Sequence, residues 1–266
     1  MADRLMQALH SLSEVERAAH KRSTLRQIDA RAKVIVTVVF LLLMLSIPLL
    51  RFADIMLFAI YPIVSAALGG MSYWRLMRKS LIVLPFVILI ALPNIFYDRT
   101  TVFNIGQIIV TRGWITLFSI ILRGILSVQA VMVLIASTGV YRTARALNKL
   151  GLPSLLASQI YLMMRYLRLL IEQALAMRRA RDARGFGRRR YPLPLWATLI
   201  GQLLLRSIRR GEAIGDAMAV RGFDGRMPTI AFNGPEKWRI GDSLYTILWC
   251  TTFAILHLLH FAKTLI

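Results

Sequence analysis

The sequence predicts an all-α polytopic membrane protein, with about five transmembrane helices and two further long helices in the cytoplasm. Of its 266 residues 57% are hydrophobic, yet the formal net charge is +21. These two properties are compatible because long uncharged runs alternate with short basic ones, as in membrane proteins whose loops carry the charge. A soluble nucleic-acid binder of this charge would not need several apolar runs of about 18 residues or more.

Five apolar runs predict the transmembrane helices. They are Val34–Leu50, Ile55–Gly70, Leu81–Tyr97, Trp114–Thr138 and Ile240–Ala262. Only four residues separate the first two runs, which predicts a tight helical hairpin. The third run contains Pro85 and Pro93, which membrane helices tolerate where neighbouring groups satisfy the freed carbonyls.

The distribution of Lys and Arg predicts the orientation. Segments 1–33, 71–80 and 139–239 hold 29 of the 34 Lys and Arg residues, whereas the segments between them hold few. Basic loops stay on the cytoplasmic side, so we expect a cytoplasmic N-terminus and an outward C-terminus. The chain then divides into residues 1–138 with four spans, a cytoplasmic region over 139–239, and residues 240–266 with the last span.

The cytoplasmic region is predicted to contain two long helices. Pro153 precedes a stretch from Ser154 to Arg184 that lacks both Pro and Gly, which predicts a helix of about 31 residues. A second helix is predicted from about Leu195 to Arg221, because Gly222 and the residues after it favour a stop. Each helix begins apolar and ends basic.

The two helices end in similar sequences. Ala183-Arg184-Gly185-Phe186 ends the first and Val220-Arg221-Gly222-Phe223 ends the second. An Arg near a helix C-terminus also complements the helix dipole, and Gly is a common cap, so one such ending alone would carry little weight. The repetition on the same side of the membrane favours a shared role, in which a planar guanidinium binds a carboxylate or exposed carbonyls of a partner.

A row of small residues precedes each ending at helical spacing. The rows are Ala176, Ala180 and Ala183 in the first helix, and Gly211, Gly215, Ala219 and Gly222 in the second. Small residues on one face allow helix backbones to approach closely. We therefore expect the two helices to cross each other along these rows.

With these motifs the chain resembles the T component (transmembrane coupling subunit) of energy-coupling factor transporters, of the CbiQ type found in cobalt and nickel importers. The resemblance covers nearly the whole chain. It is carried by the two Arg-Gly endings and by the segments Leu25–Lys33, Leu150–Pro153, Arg165–Leu170 and Leu205–Ser207. The sequence departs from the family pattern at Val220, where a smaller residue is usual, and at Gly139–Arg142, where many members carry a proline.

The resemblance implies a noncatalytic subunit of a bacterial inner-membrane importer, with cobalt the first expected substrate and nickel the second. It implies two ABC-type ATPase partners, which would bind the ATP and Mg²⁺, and a substrate-capturing S component. Arg184 and Arg221 would be the docking arginines, flanked by Ala183, Gly185, Val220 and Gly222. The long helices would cross in an X and pass the ATPase motion to the S component.

The residues themselves also favour a subunit without catalysis or a cofactor of its own. The sequence contains no phosphate-binding loop of the form G-x-x-x-x-G-K-[ST]. His257 and His260 share a helix face but have no carboxylate nearby, so we expect interfacial histidines rather than a metal site. Asp98 and Asp242 lie at the edges of spans, where single carboxylates are usually solvated. Arg123 alone gives little support for a channel or an intramembrane enzyme.

One alternative is a membrane-anchored protein whose polybasic segment 178–190 binds anionic lipid or nucleic acid. Aromatic residues that could stack on bases are sparse there, so we expect no nucleic-acid partner. Contact of Arg188–Arg190 with lipid headgroups would be compatible with the coupling role.

Overall fold

The computed structural model describes residues 24–97, 101–105, 108–185, 193–223, 225 and 238–265. Almost all of them are helical, which confirms the predicted all-α membrane protein. In chain order the helices are α1 (Ala30–Ser46), α2 (Phe52–Leu57), α3 (Ile60–Leu68), α4 (Tyr73–Ser80), α5 (Leu84–Ala91), α6 (Pro93–Tyr97), α7 (Arg112–Thr138), α8 (Val140–Lys149), α9 (Ser154–Arg184), α10 (Leu193–Val220) and α11 (Ile240–Leu265). Two short 3₁₀ helices, Thr24–Gln27 and Leu81–Val83, complete them.

A small β-hairpin precedes α7 and is the one departure from the all-α prediction in the described residues. Strands β1 (Thr101–Ile105) and β2 (Ile108–Thr111) pair antiparallel, with Thr101 opposite Thr111 and Ile105 opposite Ile108. The second strand reads Ile-Ile-Val-Thr, and β-branched residues favour strands. From the sequence, this segment was predicted only to connect two spans.

The chain forms two compact units. The long-helix unit comprises the described residues of 147–232, with α9 and α10. The core unit comprises those of 17–146 and 233–266, with α1 to α7, the hairpin, most of α8, and α11.

Two helical stretches of the described residues are long and apolar enough to cross a membrane. They are Tyr73–Ile95, with 23 residues, and Arg112–Thr138, with 27. Pro85 and Pro93 interrupt the first stretch, and each lies at the start of a short helix, where a missing N–H costs nothing. The second stretch is α7 and matches the fourth predicted span. The count of five spans stays a prediction.

The centre of the core unit is an aromatic cluster formed by α1, the residue that caps the end of α2, α3 and α11. Its rings belong to Phe40, Phe58, Tyr61, Trp249 and Phe253, with ring centroids between 4.7 and 6.0 Å apart. The Tyr61 hydroxyl lies 2.9 Å from Oγ1 of Thr37, so the polar end of that buried ring has a partner. The cluster joins the first predicted hairpin to the last helix of the chain.

Arg123, which lies in the middle of α7, binds the end of α1. Its guanidinium donates hydrogen bonds to the carbonyls of Leu45 and Ile47. The last carbonyls of a helix have no partner within the helix, and a cation there also complements the helix dipole. The arginine inside this span is therefore explained by a contact between helices.

Gly139 separates α7 from α8 at one of the two departures from the family pattern. Its φ is +81°, and its N–H donates to the carbonyl of Ile135 at 2.7 Å. Proline cannot adopt a positive φ and has no N–H to donate. A proline at this position would therefore require a different connection between α7 and α8.

Candidate functional site

The first Arg-Gly ending lies at the C-terminus of α9. This helix spans Ser154–Arg184, the bounds that the sequence predicts. Ala183 and Arg184 are exposed and Gly185 is half-buried. The N–H of Gly185 donates to the carbonyl of Asp182 at 3.2 Å, and its φ of −87° is one that any residue adopts. Phe186 and Arg188–Arg190 lie outside the described residues.

The second ending, at the C-terminus of α10, has a different backbone. Gly222 has a φ of +73°, its N–H donates to the carbonyl of Ala219 at 3.0 Å, and the N–H of Phe223 donates to that of Met218 at 3.0 Å. These two bonds and the left-handed glycine define a Schellman motif. Val220, Arg221 and Gly222 are all exposed, Val220 by 90%. The same Arg-Gly-Phe sequence therefore has two backbone conformations at its glycine.

The variants Gly222→Ala and Gly185→Ala test whether the two glycines differ in backbone conformation. We expect Gly222→Ala to destabilise the end of α10 by about 1–2 kcal/mol, because a side chain is strained in the left-handed region. We expect Gly185→Ala to change stability by only a few tenths of a kcal/mol, because its φ suits alanine and a Cβ there meets only ordinary contacts. Amide hydrogen exchange in the last turn of each helix measures both effects. Equal protection losses at the two ends would contradict the assignment.

The two endings lie at opposite ends of a helix pair. α9 and α10 pack against each other. Near the end of α9, Arg181 donates to Oγ1 of Thr198 at 3.3 Å, and near its start Ser158 donates to the carbonyl of Gly225 at 3.2 Å. The helices therefore run in opposite directions. The end of α10 lies near the start of α9. Arg184 and Arg221 are therefore roughly 39 Å apart, which is the length of helix from Ser158 to Arg184 at 1.5 Å per residue.

The structure does not bring the two rows of small residues together. Ala176, Ala180, Gly211, Gly215 and Ala219 are all exposed. A Cβ built on Gly211 or Gly215 would have no neighbour within 4 Å. Close approach of the two helices along these rows is thus absent from this structure, and their use as a contact surface stays a prediction.

The exposed arginines are suited to binding another protein. Each guanidinium carries five donors in a planar fork, which fits a carboxylate or a set of carbonyl oxygens that have no other partner. Short side chains at Ala183 and Gly185, or at Gly222, leave room for a partner to approach the fork. The two tips are therefore separate candidate binding points.

A buried polar cluster in the core unit was not predicted from the sequence. We call it the polar clasp: the side chains of Asp29, Lys33 and Asp242 with the carbonyl of Ser137. These three residues are 5%, 2% and 3% exposed. The expectation that Asp242 is solvated is therefore wrong, because it accepts hydrogen bonds from the backbone N–H groups of Asp29 and Arg239 at 2.7 and 2.8 Å. Only the unusual charge pattern Asp-x-x-x-Lys at the start of an apolar helix could have indicated it.

A second buried polar group joins α4 to α7. The side chain of Gln129 is fully buried, and its amide nitrogen lies 3.2 Å from the sulfur of Met77 and 3.5 Å from Oγ of Ser80. The Tyr73 hydroxyl donates to its amide oxygen at 3.4 Å. Polar contacts of this kind hold helices together where lipid offers no hydrogen bonds.

The remaining sequence predictions concern single residues. His257 is half-buried in α11, whereas Asp98 and the side chain of His260 lie outside the described part of the chain. Among the residues that the structure describes, no three His, Cys, Asp or Glu side chains are grouped as a metal site would require.

This fold and this site define a class of protein: an all-α membrane protein with an exposed arginine at the end of each of two long helices. The family model of the cobalt transport protein CbiQ matches residues 21–230, which is most of the chain and includes both helix ends. The chain belongs to this family and is a component of a membrane transporter complex for cobalt. No curated protein matches the chain significantly.

Proposed function

We propose that this chain is the transmembrane coupling subunit of an energy-coupling factor importer, with Co²⁺ as its first substrate and Ni²⁺ as the second. It would link two ABC-type ATPases, which bind ATP and Mg²⁺, to a membrane S component that captures the ion. This role gives the chain no catalytic step of its own.

The observation that carries the proposal is the separation of two exposed arginine tips. Arg184 and Arg221 are exposed at opposite ends of the α9–α10 pair, roughly 39 Å apart. Two tips at this distance can each engage a different protein, whereas one polybasic patch would concentrate its charge in one place. An ATPase pair that closes on ATP would then move both tips at once.

The charge distribution supports a cytoplasmic location of these tips. The region 139–239 holds 19 of the 34 Lys and Arg residues, and residues 1–33 hold another seven. Positive charge favours the cytoplasmic side, although a long segment is less strictly governed by this rule than a short loop. We propose a multi-pass protein of the bacterial inner membrane with a cytoplasmic N-terminus, in contact with anionic lipid and without nucleic acid.

Purification from mild detergent tests the proposal. We expect the tagged wild-type chain to co-purify with two ATPase subunits, each with a phosphate-binding loop, and with a small membrane protein. After reconstitution into vesicles, the complex should accumulate Co²⁺ only when ATP is present. Uptake of Co²⁺ and Ni²⁺ in competition ranks the two ions. A chain that purifies without any ATPase, or vesicles with uptake independent of ATP, would exclude the coupling role.

A further inference from the structure

The polar clasp joins three helix ends within the core unit. Asp29 is the N-cap of α1, and its carboxylate accepts the N–H of Arg31 at 2.8 Å. Oδ1 of Asp242 accepts the N–H of Asp29 at 2.7 Å, and Oδ2 accepts the N–H of Arg239 at the start of α11. Nζ of Lys33 donates to the carbonyl of Ser137 at 3.4 Å, in the last turn of α7. The starts of α1 and α11 and the end of α7 are therefore tied together.

Because these charges are buried, the clasp is stable only when each charged group keeps its own partners. Ionised groups that leave water are stabilised only by partners of opposite charge and by hydrogen bonds in good geometry. Here the carboxylate of Asp29 pairs with the guanidinium of Arg31 at 3.0 Å, and Nζ of Lys33 donates to the carbonyl of Ser137 at 3.4 Å. A shift of any one of the three helix ends would separate these partners. The clasp should therefore resist relative movement of the ends that it joins.

Two of the covalent connections between the units lead to helix ends in the clasp. Thr138 ends α7, and the chain continues through Gly139 and α8 into the unit that begins at residue 147. The chain leaves that unit at residue 232, and α11 begins at Ile240. Any force on the long helices that travels along the chain thus reaches the core unit at the end of α7 and at the start of α11.

We propose that the polar clasp couples these two connections, so that movement of the long helices shifts α1, α7 and α11 together. Lys33 and Asp242 are then positioning residues for transport. They touch neither ATP nor the ion, and act by keeping the two points of attachment at a fixed distance from each other and from α1. Without the clasp, the end of α7 and the start of α11 move independently of each other. The movement of the long helices is then not passed on to α1, α7 and α11 together. This inference rests on the proposed coupling function.

Variants of Asp242 in the reconstituted complete transporter test the inference. Asp242→Ala removes both acceptors, and Asp242→Asn keeps one carbonyl oxygen but loses the charge and the second acceptor. We expect about tenfold less Co²⁺ delivered per ATP hydrolysed in the alanine variant and a smaller loss in the asparagine variant, within the range that single residues exert on coupling. Lys33→Met should resemble Asp242→Ala. The ATPase rate per assembled complex should stay within about twofold of wild type.

Asp54→Ala is the matched control, because it removes another buried carboxylate of the core unit that lies outside the clasp. We expect its ratio of Co²⁺ to ATP to equal that of the wild type. All rates are normalised to assembled complexes, so that misfolded chain does not enter the ratio.

A wild-type ratio in Asp242→Ala, or in Asp242→Asn where the alanine variant does not assemble, would overturn the inference. Failure of both variants to assemble would also overturn it, because the clasp would then serve folding rather than coupling. These outcomes differ from failure of the proposed function, in which the wild-type chain itself lacks ATPases or ATP-dependent uptake.

Discussion

Reversing the charge at both helix tips, with Arg184→Glu and Arg221→Glu in one chain, should abolish co-purification of the ATPases and ATP-dependent Co²⁺ uptake. The loss of one partner from a buried, hydrogen-bonded charge pair costs about 2–5 kcal/mol, and a glutamate adds repulsion if the tip binds carboxylates. Each single variant should retain one of the two contacts and bind the ATPases more weakly. Stoichiometry after detergent purification measures both effects.

The matched control carries the same charge change on the same two helices but away from the tips. Arg179 in α9 and Arg210 in α10 are both exposed. We expect Arg179→Glu with Arg210→Glu to leave the ATPases bound, because neither residue belongs to an Arg-Gly ending. If the tip variant keeps its ATPases and transports normally, docking through Arg184 and Arg221 is excluded. If neutralising Arg188–Arg190 abolishes uptake instead, the polybasic alternative gains support.

Phe253→Ala should produce the largest loss of stability. Phe253 is 1% exposed, and its ring contacts four other aromatic rings, from α1, the C-cap of α2, α3 and its own helix. Its removal leaves a cavity at the point where these elements meet, since close-packed neighbours relax only in part. We expect a loss of about 3 kcal/mol, which lowers the midpoint of thermal unfolding in detergent by about 6–12 °C.

Phe86→Ala makes the same truncation on an exposed face of the core unit. Phe86 is 69% exposed, so no comparable cavity forms. We expect its unfolding midpoint to stay within about 2 °C of the wild type. A similar shift in both variants would mean that the aromatic cluster is not the centre of the fold.

The parts of the fold that follow from local patterns could be predicted from the sequence. The bounds of α9 follow from Pro153 before it, Gly185 after it, and the lack of Pro and Gly between them. α7 follows from one long apolar run. The hairpin of β1 and β2 could not be predicted in this way, because a short strand shows a weak pattern and owes its stability to the strand paired with it.

Contacts between distant residues are the part of the structure that the sequence could not show. Asp242 binds the backbone of Asp29, 213 positions away, and Arg123 binds carbonyls of α1. A charged residue in a span indicates that a partner exists but does not indicate which one. The candidate site shows a similar limit, because both tips read Arg-Gly-Phe and only the backbone reveals the left-handed Gly222.

The opposite directions of α9 and α10 have a consequence for symmetry. Two identical ATPases related by a twofold axis would present the same groove to each tip, yet one copy of this chain offers them endings whose glycines differ in backbone conformation, with φ of +73° at Gly222 and −87° at Gly185. Docking as proposed would therefore make the two nucleotide sites inequivalent.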